Sequence, residues 1–288
     1  MNYRSLKNLT RLISNKLGML PADIDAVVGI PRSGSLVANM LGLQLSRPIV
    51  TVGNVVRKDP LEGGLRMHMK PEHMEAFLKQ PRRLLVVDDS CGTGYTIRVT
   101  KEAIAASGIP HTCKYVAPYV TDYGKKYVDF WFEELPKPRF FEWNWTTHIF
   151  LQTACVDIDG VLCRDPVPGE LDEETGKGIK YRRFITKVPV LRRLRQPLRC
   201  LVTCRLERWR PQTERWLKHN GVKYKQLVMM GVKTVRERKK IGHAVYKAHQ
   251  YLKLGGSMFV ESSYGQAIQI FKRTKKPVFC VETMELFK

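Results

Sequence analysis

The chain has 288 residues, 43% of them hydrophobic, and its 49 basic against 27 acidic residues give a net charge of +22. This is the composition of a globular protein with room for one large or two ordinary domains, and it excludes disordered and fibrous classes. No apolar run reaches the roughly 18 residues that span a bilayer and no secretory leader is visible, so no transmembrane segment is expected. Seven cysteines without a Cys-x-x-Cys pair argue against a disulfide framework or zinc knuckle and for a reducing cytoplasm.

In chain order, Leu6, Leu9, Ile13 and Leu17 recur at helical spacing with Lys7, Arg11 and Lys16 between them. Such a helix suits packing on the following domain or lying on a membrane surface. Residues 25–30 read as a short buried strand, followed by a turn, Pro31-Arg-Ser-Gly-Ser35, and an apolar helix over 36–45. A strand follows at 48–52. Residues 53–81 read as a long excursion of the kind that forms a lid, with Arg57, Lys58, Arg66 and Lys70 as its cations. A central strand over 83–87, a helix over 97–106 and a strand over 114–120 complete the alternation. Strand, turn, helix, strand implies a parallel sheet. The aromatic-rich stretch 129–145 reads as an antiparallel flap or interdomain packing, with a stacking platform as the alternative.

The pattern restarts near 149, which places domains at 1–148 and 149–288. Strands are expected at 153–158, 199–203, 226–230, 257–260 and 277–281, and helices at 211–220, 239–252 and 265–273. The fold class is α/β, with two doubly wound, mostly parallel sheets.

Two strand ends carry the chemistry. The first run, Leu84-Leu-Val-Val-Asp-Asp-Ser-Cys-Gly-Thr-Gly-Tyr-Thr96, places Asp88 and Asp89 at the carboxyl end of a strand, where ligands of open parallel sheets bind. Adjacent carboxylates there suit vicinal ribose hydroxyls, and the glycines, hydroxyls and helix start that follow suit a phosphate dianion. Cys91 reads as a small loop-filling residue. The run lacks the Gly-Lys-Ser/Thr of a nucleotide-triphosphate loop. Four apolar residues, two acids and Thr-Gly-x-Thr resemble the PRPP-binding signature of type I phosphoribosyltransferases, and Gly29-Ile-Pro-Arg-Ser-Gly-Ser35 matches that family's earlier pyrophosphate loop. The resemblance, over about residues 20–125, implies that Asp88 and Asp89 bind the ribose. It implies that Ser90, Cys91, Gly92, Thr93, Gly94, Tyr95 and Thr96 hold the 5-phosphate, and that Arg32, Ser33, Gly34 and Ser35 meet the pyrophosphate with Mg²⁺. The base-recognition region matches no nucleobase subfamily.

The second run, Ala154-Cys-Val-Asp-Ile-Asp-Gly-Val-Leu162, sets Asp157 and Asp159 two residues apart, on one side of a strand end. One carboxylate there can attack phosphorus while the other protonates the leaving oxygen. The run resembles motif I of the haloacid dehalogenase-like phosphatases. That resemblance implies Thr203 as the phosphoryl-binding residue, Lys247 as the lysine (Lys239 and Lys240 being rivals), and Mg²⁺ held by Asp157, Asp159 and Glu261. Glu261-Ser262 stands where the family commonly has aspartates, which puts the metal site in doubt. The short stretch between Leu162 and Pro189 leaves room only for a small cap or none.

Positive charge concentrates in the second half, 29 basic against 13 acidic residues, with clusters around 192–195, 205–215 and 236–240. These read as a solvated basic face, then as a surface for anionic membrane, with nucleic acid third, since no zinc-finger, RNP or helix-turn-helix signature accompanies them. The pair of resemblances matches dual-domain ribofuranosyltransferases of bacterial polysaccharide biosynthesis. It implies transfer of 5-phosphoribosyl from PRPP to a glycan acceptor, lipid-linked at the inner membrane face, and then removal of the 5-phosphate. The enzyme would be cytoplasmic or peripheral on the membrane. Two alternatives stand beside it: a nucleobase phosphoribosyltransferase joined to a nucleotide phosphatase, and a non-catalytic PRPP-sensing RNA-binding regulator.

Overall fold

The computed structural model describes residues 1–62, 69–174 and 177–288, so Arg66 of the expected lid lies outside the described residues. The chain forms two compact units, Met1–Trp143 and Asn144–Lys288. Its strands are β1 (Asn2–Arg4), β2 (Ala26–Gly29), β3 (Ile49–Thr51), β4 (Arg83–Val87), β5 (Ser90–Cys91), β6 (Thr112–Val120), β7 (Phe130–Glu134) and β8 (Arg139–Phe141) in the first unit. In the second they are β9 (Cys155–Val156), β10 (Leu198–Leu206), β11 (Tyr224–Met230), β12 (Phe259–Glu261), β13 (Val278–Cys280) and β14 (Glu285–Phe287). The helices are α1 (Leu6–Lys16), α2 (Ser33–Leu45), α3 (Val52–Arg57), α4 (Pro71–Ala76), α5 (Tyr95–Ala105), α6 (Ile179–Lys187), α7 (Arg210–His219), α8 (Val235–Ile241), α9 (His243–Leu254) and α10 (Tyr264–Thr274).

In the first unit the main sheet runs β3-β2-β4-β6-β5, with β7 added on β6, and all its pairings are parallel. The apolar run of β4 is explained by burial on both faces: Leu84 and Val86 enter one core, Leu85 and Val87 the other, and all four are fully buried. Each such side chain contributes about 1.5–3 kcal/mol of transfer free energy. Helix α1 lies on one of these cores through Leu9 and Ile13, both fully buried, and a Ser5–Asn8 capping box starts it. Its apolar stripe is therefore covered by its own unit, and the membrane-lying reading is corrected.

The aromatic segment also departs from expectation. Strand β7 pairs parallel to β6, with Val116 opposite Phe130, and β8 pairs parallel to β1, so it is not an antiparallel flap. The chain returns along 121–129, through a 3-10 turn at Gly124–Tyr127, before β7 begins. The expected excursion 53–81 holds α3 and α4 rather than loop alone.

Strand order reverses between β2 and β4, and this is where the two loops of the first site meet. Gly34 makes that approach possible: a Cβ there would lie 2.5 Å from the Val87 carbonyl oxygen and 3.0 Å from Asp88 Cα. Gly34→Ala is therefore expected to destabilise the unit by about 1–3 kcal/mol, because backbone must move on both sides. Urea denaturation of the variant checks this; an unchanged midpoint would contradict it.

The second unit repeats the logic with the order β11-β10-β9-β12-β13-β14, parallel except for the antiparallel last pair. Strand β9 is central, and the order reverses between it and β12. The helix expected over 239–252 is two helices, because Gly242 at φ +82° ends α8 and opens α9. Among the described residues no helix is long and apolar enough to cross a membrane.

Candidate active sites

At the first switch point Asp88 and Asp89 follow β4 directly and are 9% and 8% exposed. Asp88 Oδ1 accepts the Asp89 N–H at 2.8 Å, and Asp89 Oδ2 accepts the Trp143 indole N–H at 2.7 Å. Burial, reinforced by the neighbouring carboxylate of Asp89, pushes Asp88 up to about 7. Burial also raises Asp89, against the pull of Trp143, Asp88 and Arg139. Two buried acids kept side by side are a poor choice for stability and a good one for a ligand rich in hydroxyls.

The loop after them turns through Ser90, Cys91, Gly92, Thr93 and Gly94 into α5, whose first residues are Tyr95 and Thr96. Thr93, Tyr95 and Thr96 are exposed at the helix start. Cys91 is 3% exposed and its thiol donates to the Gly124 carbonyl at 3.3 Å, so it fills the loop from beneath. Burial raises its pKa, which disfavours a reactive thiolate. The Arg32–Ser35 turn approaches from α2, with Arg32 exposed. Of the cations in the segment expected to form a lid, Arg57 is paired with Asp59 at 2.6 Å, and Lys70 is exposed.

At the second switch point Asp157 follows β9 and is 3% exposed. Lys247, from α9, also 3% exposed, donates to Asp157 Oδ2 at 2.6 Å, Glu261 Oε2 at 2.7 Å and Gln266 Oε1 at 2.9 Å. Lys239, its rival, is exposed and paired with Glu174. Burial works against the Lys247 ammonium, but Asp157 and Glu261 outweigh it and raise its pKa. Burial pushes Asp157 up to about 8, with Lys247 opposing and Glu261 and Asp159 assisting. Thr203 lies within β10, 1% exposed, and lines the same pocket of about 340 Å³ with Asp157, Asp159 and Lys247.

Asp159 has a partner the sequence did not suggest. The Arg205 guanidinium grips both its oxygens, Nη2 at 2.6 Å from Oδ1 and Nε at 3.0 Å from Oδ2. The Arg205 side chain is completely buried. Breaking such a pair leaves a charge stranded, at about 3–5 kcal/mol.

The three acids expected to hold Mg²⁺ do not form one set. Asp157 and Glu261 already share the Lys247 ammonium, Asp159 is taken by Arg205, and Glu261 Oε1 also accepts the Ser262 and Ser263 N–H groups. Among the described residues no three carboxylates, imidazoles or thiols come together as a metal cage. Within the expected Asp157/Asp159/Glu261 set, Asp159 therefore differs in having both side-chain oxygens bonded to an arginine.

Two switch points, each with its buried acids, are joined by an independent finding. The sequence matches the phosphoribosyl transferase domain family over residues 2–148, just over half of the chain. The protein belongs to this family. Phosphoribosyl transfer is therefore the chemistry of its first unit. Similar solved structures include a purine phosphoribosyltransferase from Pyrococcus horikoshii, 19% identical, covering 49% of this chain and 92% of that one at a TM-score of 0.36. Another is the Helicobacter pylori xanthine-guanine-hypoxanthine phosphoribosyltransferase, 13% identical over 49% and 92%, at 0.37. A chain of the Pnkp1/Rnl/Hen1 complex is 15% identical over 90% of this chain and 96% of that one, at 0.30. No curated protein matches the chain.

The phosphoribosyltransferase unit also holds polar residues that the sequence reading passed over. Lys137 and Arg139 flank the loop after Asp89: a Cβ built at Gly92 would lie 3.7 Å from Lys137 Nζ and 3.8 Å from Arg139 Nη2. Together with Trp143 they come from the segment read as an aromatic flap. Nothing local in the sequence marks them, because Trp143 reaches Asp89 across 54 positions. For Arg205 the one available signal is the strand period, which puts it on the face of Thr203 two residues before it.

Proposed function

We propose that the chain is a two-step ribofuranosyltransferase, which transfers 5-phosphoribosyl from PRPP to a glycan acceptor and then removes the 5-phosphate. The observation that supports this best is the spacing of the buried acids at the two switch points. Adjacent Asp88 and Asp89 suit a vicinal diol, whereas Asp157, with Lys247 bonded to it, stands two residues from Asp159 and lines a pocket with it.

In the first step PRPP enters with its Mg²⁺ as substrate. Asp88 and Asp89 accept from the ribose hydroxyls, the 90–96 loop takes the 5-phosphate, and Lys137 and Arg139 add positive charge beside it. The Arg32–Ser35 turn meets the pyrophosphate. As pyrophosphate leaves, C1 gains oxocarbenium character and the acceptor oxygen bonds to it, its proton passing to the departing pyrophosphate. Catalysis here is positioning and charge stabilisation.

The second step resembles that of haloacid dehalogenase-like phosphatases. An Asp157 oxygen bonds to phosphorus, the bond from phosphorus to the ribose O5 breaks, and O5 leaves with a proton from Asp159. Water then attacks the phospho-aspartyl group, freeing Asp157 and phosphate. Lys247 and Thr203 hold the phosphoryl oxygens. Asp159, held by Arg205 at both oxygens, is the acid that gives O5 its proton and then takes one from that water.

Attack requires an ionised Asp157, so phosphatase kcat/KM is expected to rise with pH through about 8, the value to which burial brings its carboxyl. Lys247→Met removes the cation that opposes this shift, so the rising limb should move to higher pH. A pH–rate profile on ribose 5-phosphate checks the sign; a limb displaced to lower pH would contradict it.

The product decides the acceptor. Mass spectrometry after incubating the protein with PRPP, Mg²⁺ and a panel of glycans and free bases should show a pentose increment on a glycan. A nucleoside product would replace this reading with the nucleobase one. Salt-dependent RNA binding without PRPP turnover would favour the regulator.

A further inference from the structure

The pocket above Asp157 has a second polar wall that the phosphatase step does not use. It is formed by the end of α8 and the start of α9, through Arg238, Lys239 and His243. His243 lies one helical turn before Lys247, so it shares the face that carries the lysine to Asp157. Lys239 is exposed, and its pair with Glu174 is a surface contact that a ligand can replace.

Arg238 is the unusual member. The residue is 9% exposed, yet its guanidinium is only partly satisfied. Nη2 donates to the buried Glu173 carboxylate at 2.9 Å, while among the described residues Nε is fully buried and has no partner. A buried guanidinium N–H without an acceptor is uncommon in a folded protein, since it loses water and gains nothing. Glu173 comes from the short insertion after β9 and also accepts the Trp209 indole N–H at 2.7 Å, so Arg238 is fixed in place. An arginine held rigidly on the pocket wall, beside an exposed lysine and a histidine, is matched to phosphate.

We infer that Arg238, Lys239 and His243 form a second anion subsite, and that the phosphomonoester cleaved at Asp157 carries a further phosphate on the same molecule. This rests on the phosphatase reading above and narrows its substrate class: the ribosylated acceptor is itself phosphorylated close to the ribose, and a neutral glycan or a nucleoside monophosphate lacks the second group. The volume of about 340 Å³ leaves room for two phosphates and the sugar between them.

The test compares kcat/KM for ribose 1,5-bisphosphate with that for ribose 5-phosphate, measured as phosphate release by the full chain. The bisphosphate should be preferred by at least about tenfold. In Arg238→Met the ratio should fall to about one. Because losing Arg238 leaves Glu173 buried, the surface variant Lys239→Met/His243→Gln is measured beside it and should lower the ratio severalfold. A wild-type ratio near one, or a ratio unchanged in both variants, overturns the subsite and leaves the phosphatase intact. If neither ester is hydrolysed the phosphatase reading fails instead. Calorimetric titration of the bisphosphate then decides the subsite: loss of one binding event in Lys239→Met/His243→Gln supports it, and identical isotherms overturn it.

Discussion

Replacing Asp157 by asparagine is expected to lower phosphate release by about 10⁴-fold or more, while PRPP consumption continues. The product should then accumulate about 80 mass units heavier than the finished one, one HPO₃ still on the ribose. The size of the effect follows from the chemistry, because an amide cannot form the covalent phosphoryl intermediate. The fold should survive the change. Asparagine keeps the shape and can still accept the Ile158 N–H, which Asp157 Oδ1 accepts at 2.8 Å, and Lys247 keeps its bond to Glu261 at 2.7 Å. A loss of about 1–3 kcal/mol is the expected upper range, from weakening one buried charged hydrogen bond. Mass spectrometry of the product and thermal unfolding of the variant read the two effects separately. Continued phosphate release at the wild-type rate would remove Asp157 from the chemistry.

The double variant Asp88→Ala/Asp89→Ala is expected to lower PRPP-dependent pyrophosphate release by about 10²–10⁴-fold, since each charged hydrogen bond to the sugar is worth about 1.5–3 kcal/mol. Hydrolysis of a generic phosphoester by the second unit should be spared. The same acids predict an opposite effect on stability. The Asp88 pKa is raised in the fold to about 7, above its ordinary value of 3.8, so between these values the native state binds more protons than the unfolded one. Stability must then fall as pH rises from about 4 to 7, and the deficit is fully present above 7. Removing the acids should therefore stabilise the protein at pH 8 more than at pH 4. Melting temperatures at the two pH values check the sign. Loss of activity with this gain in stability is what a ligand site built at the fold's expense should show.

The strands were readable because the sheets are covered on both faces: Leu84 to Val87 and the run into Asp157 are continuous apolar stretches that end in acids. Their order also placed both sites, since each pair of acids falls where the strand order reverses. The contributions from far along the chain were not readable. Trp143 at Asp89 and Lys137 with Arg139 beside Gly92 depend on β8 returning parallel to β1, which no local pattern specifies. Arg205 stands in a basic cluster of the sequence, yet its side chain is completely buried against Asp159. Charge density along a sequence says little about a single arginine when the strand period places it inside. The break at Gly242 was hidden because glycine within a charged, helix-forming stretch leaves the periodic signal almost unchanged, and the positive φ of the residue is a property of the fold.

The most direct measurement of the two-step account is the mass of the product formed from PRPP and Mg²⁺ on glycan acceptors, by wild type and by Asp157→Asn side by side. The account predicts a pentose increment for the wild type and a phosphopentose increment for the variant. The same mass from both proteins, or no transfer to any glycan, would contradict it.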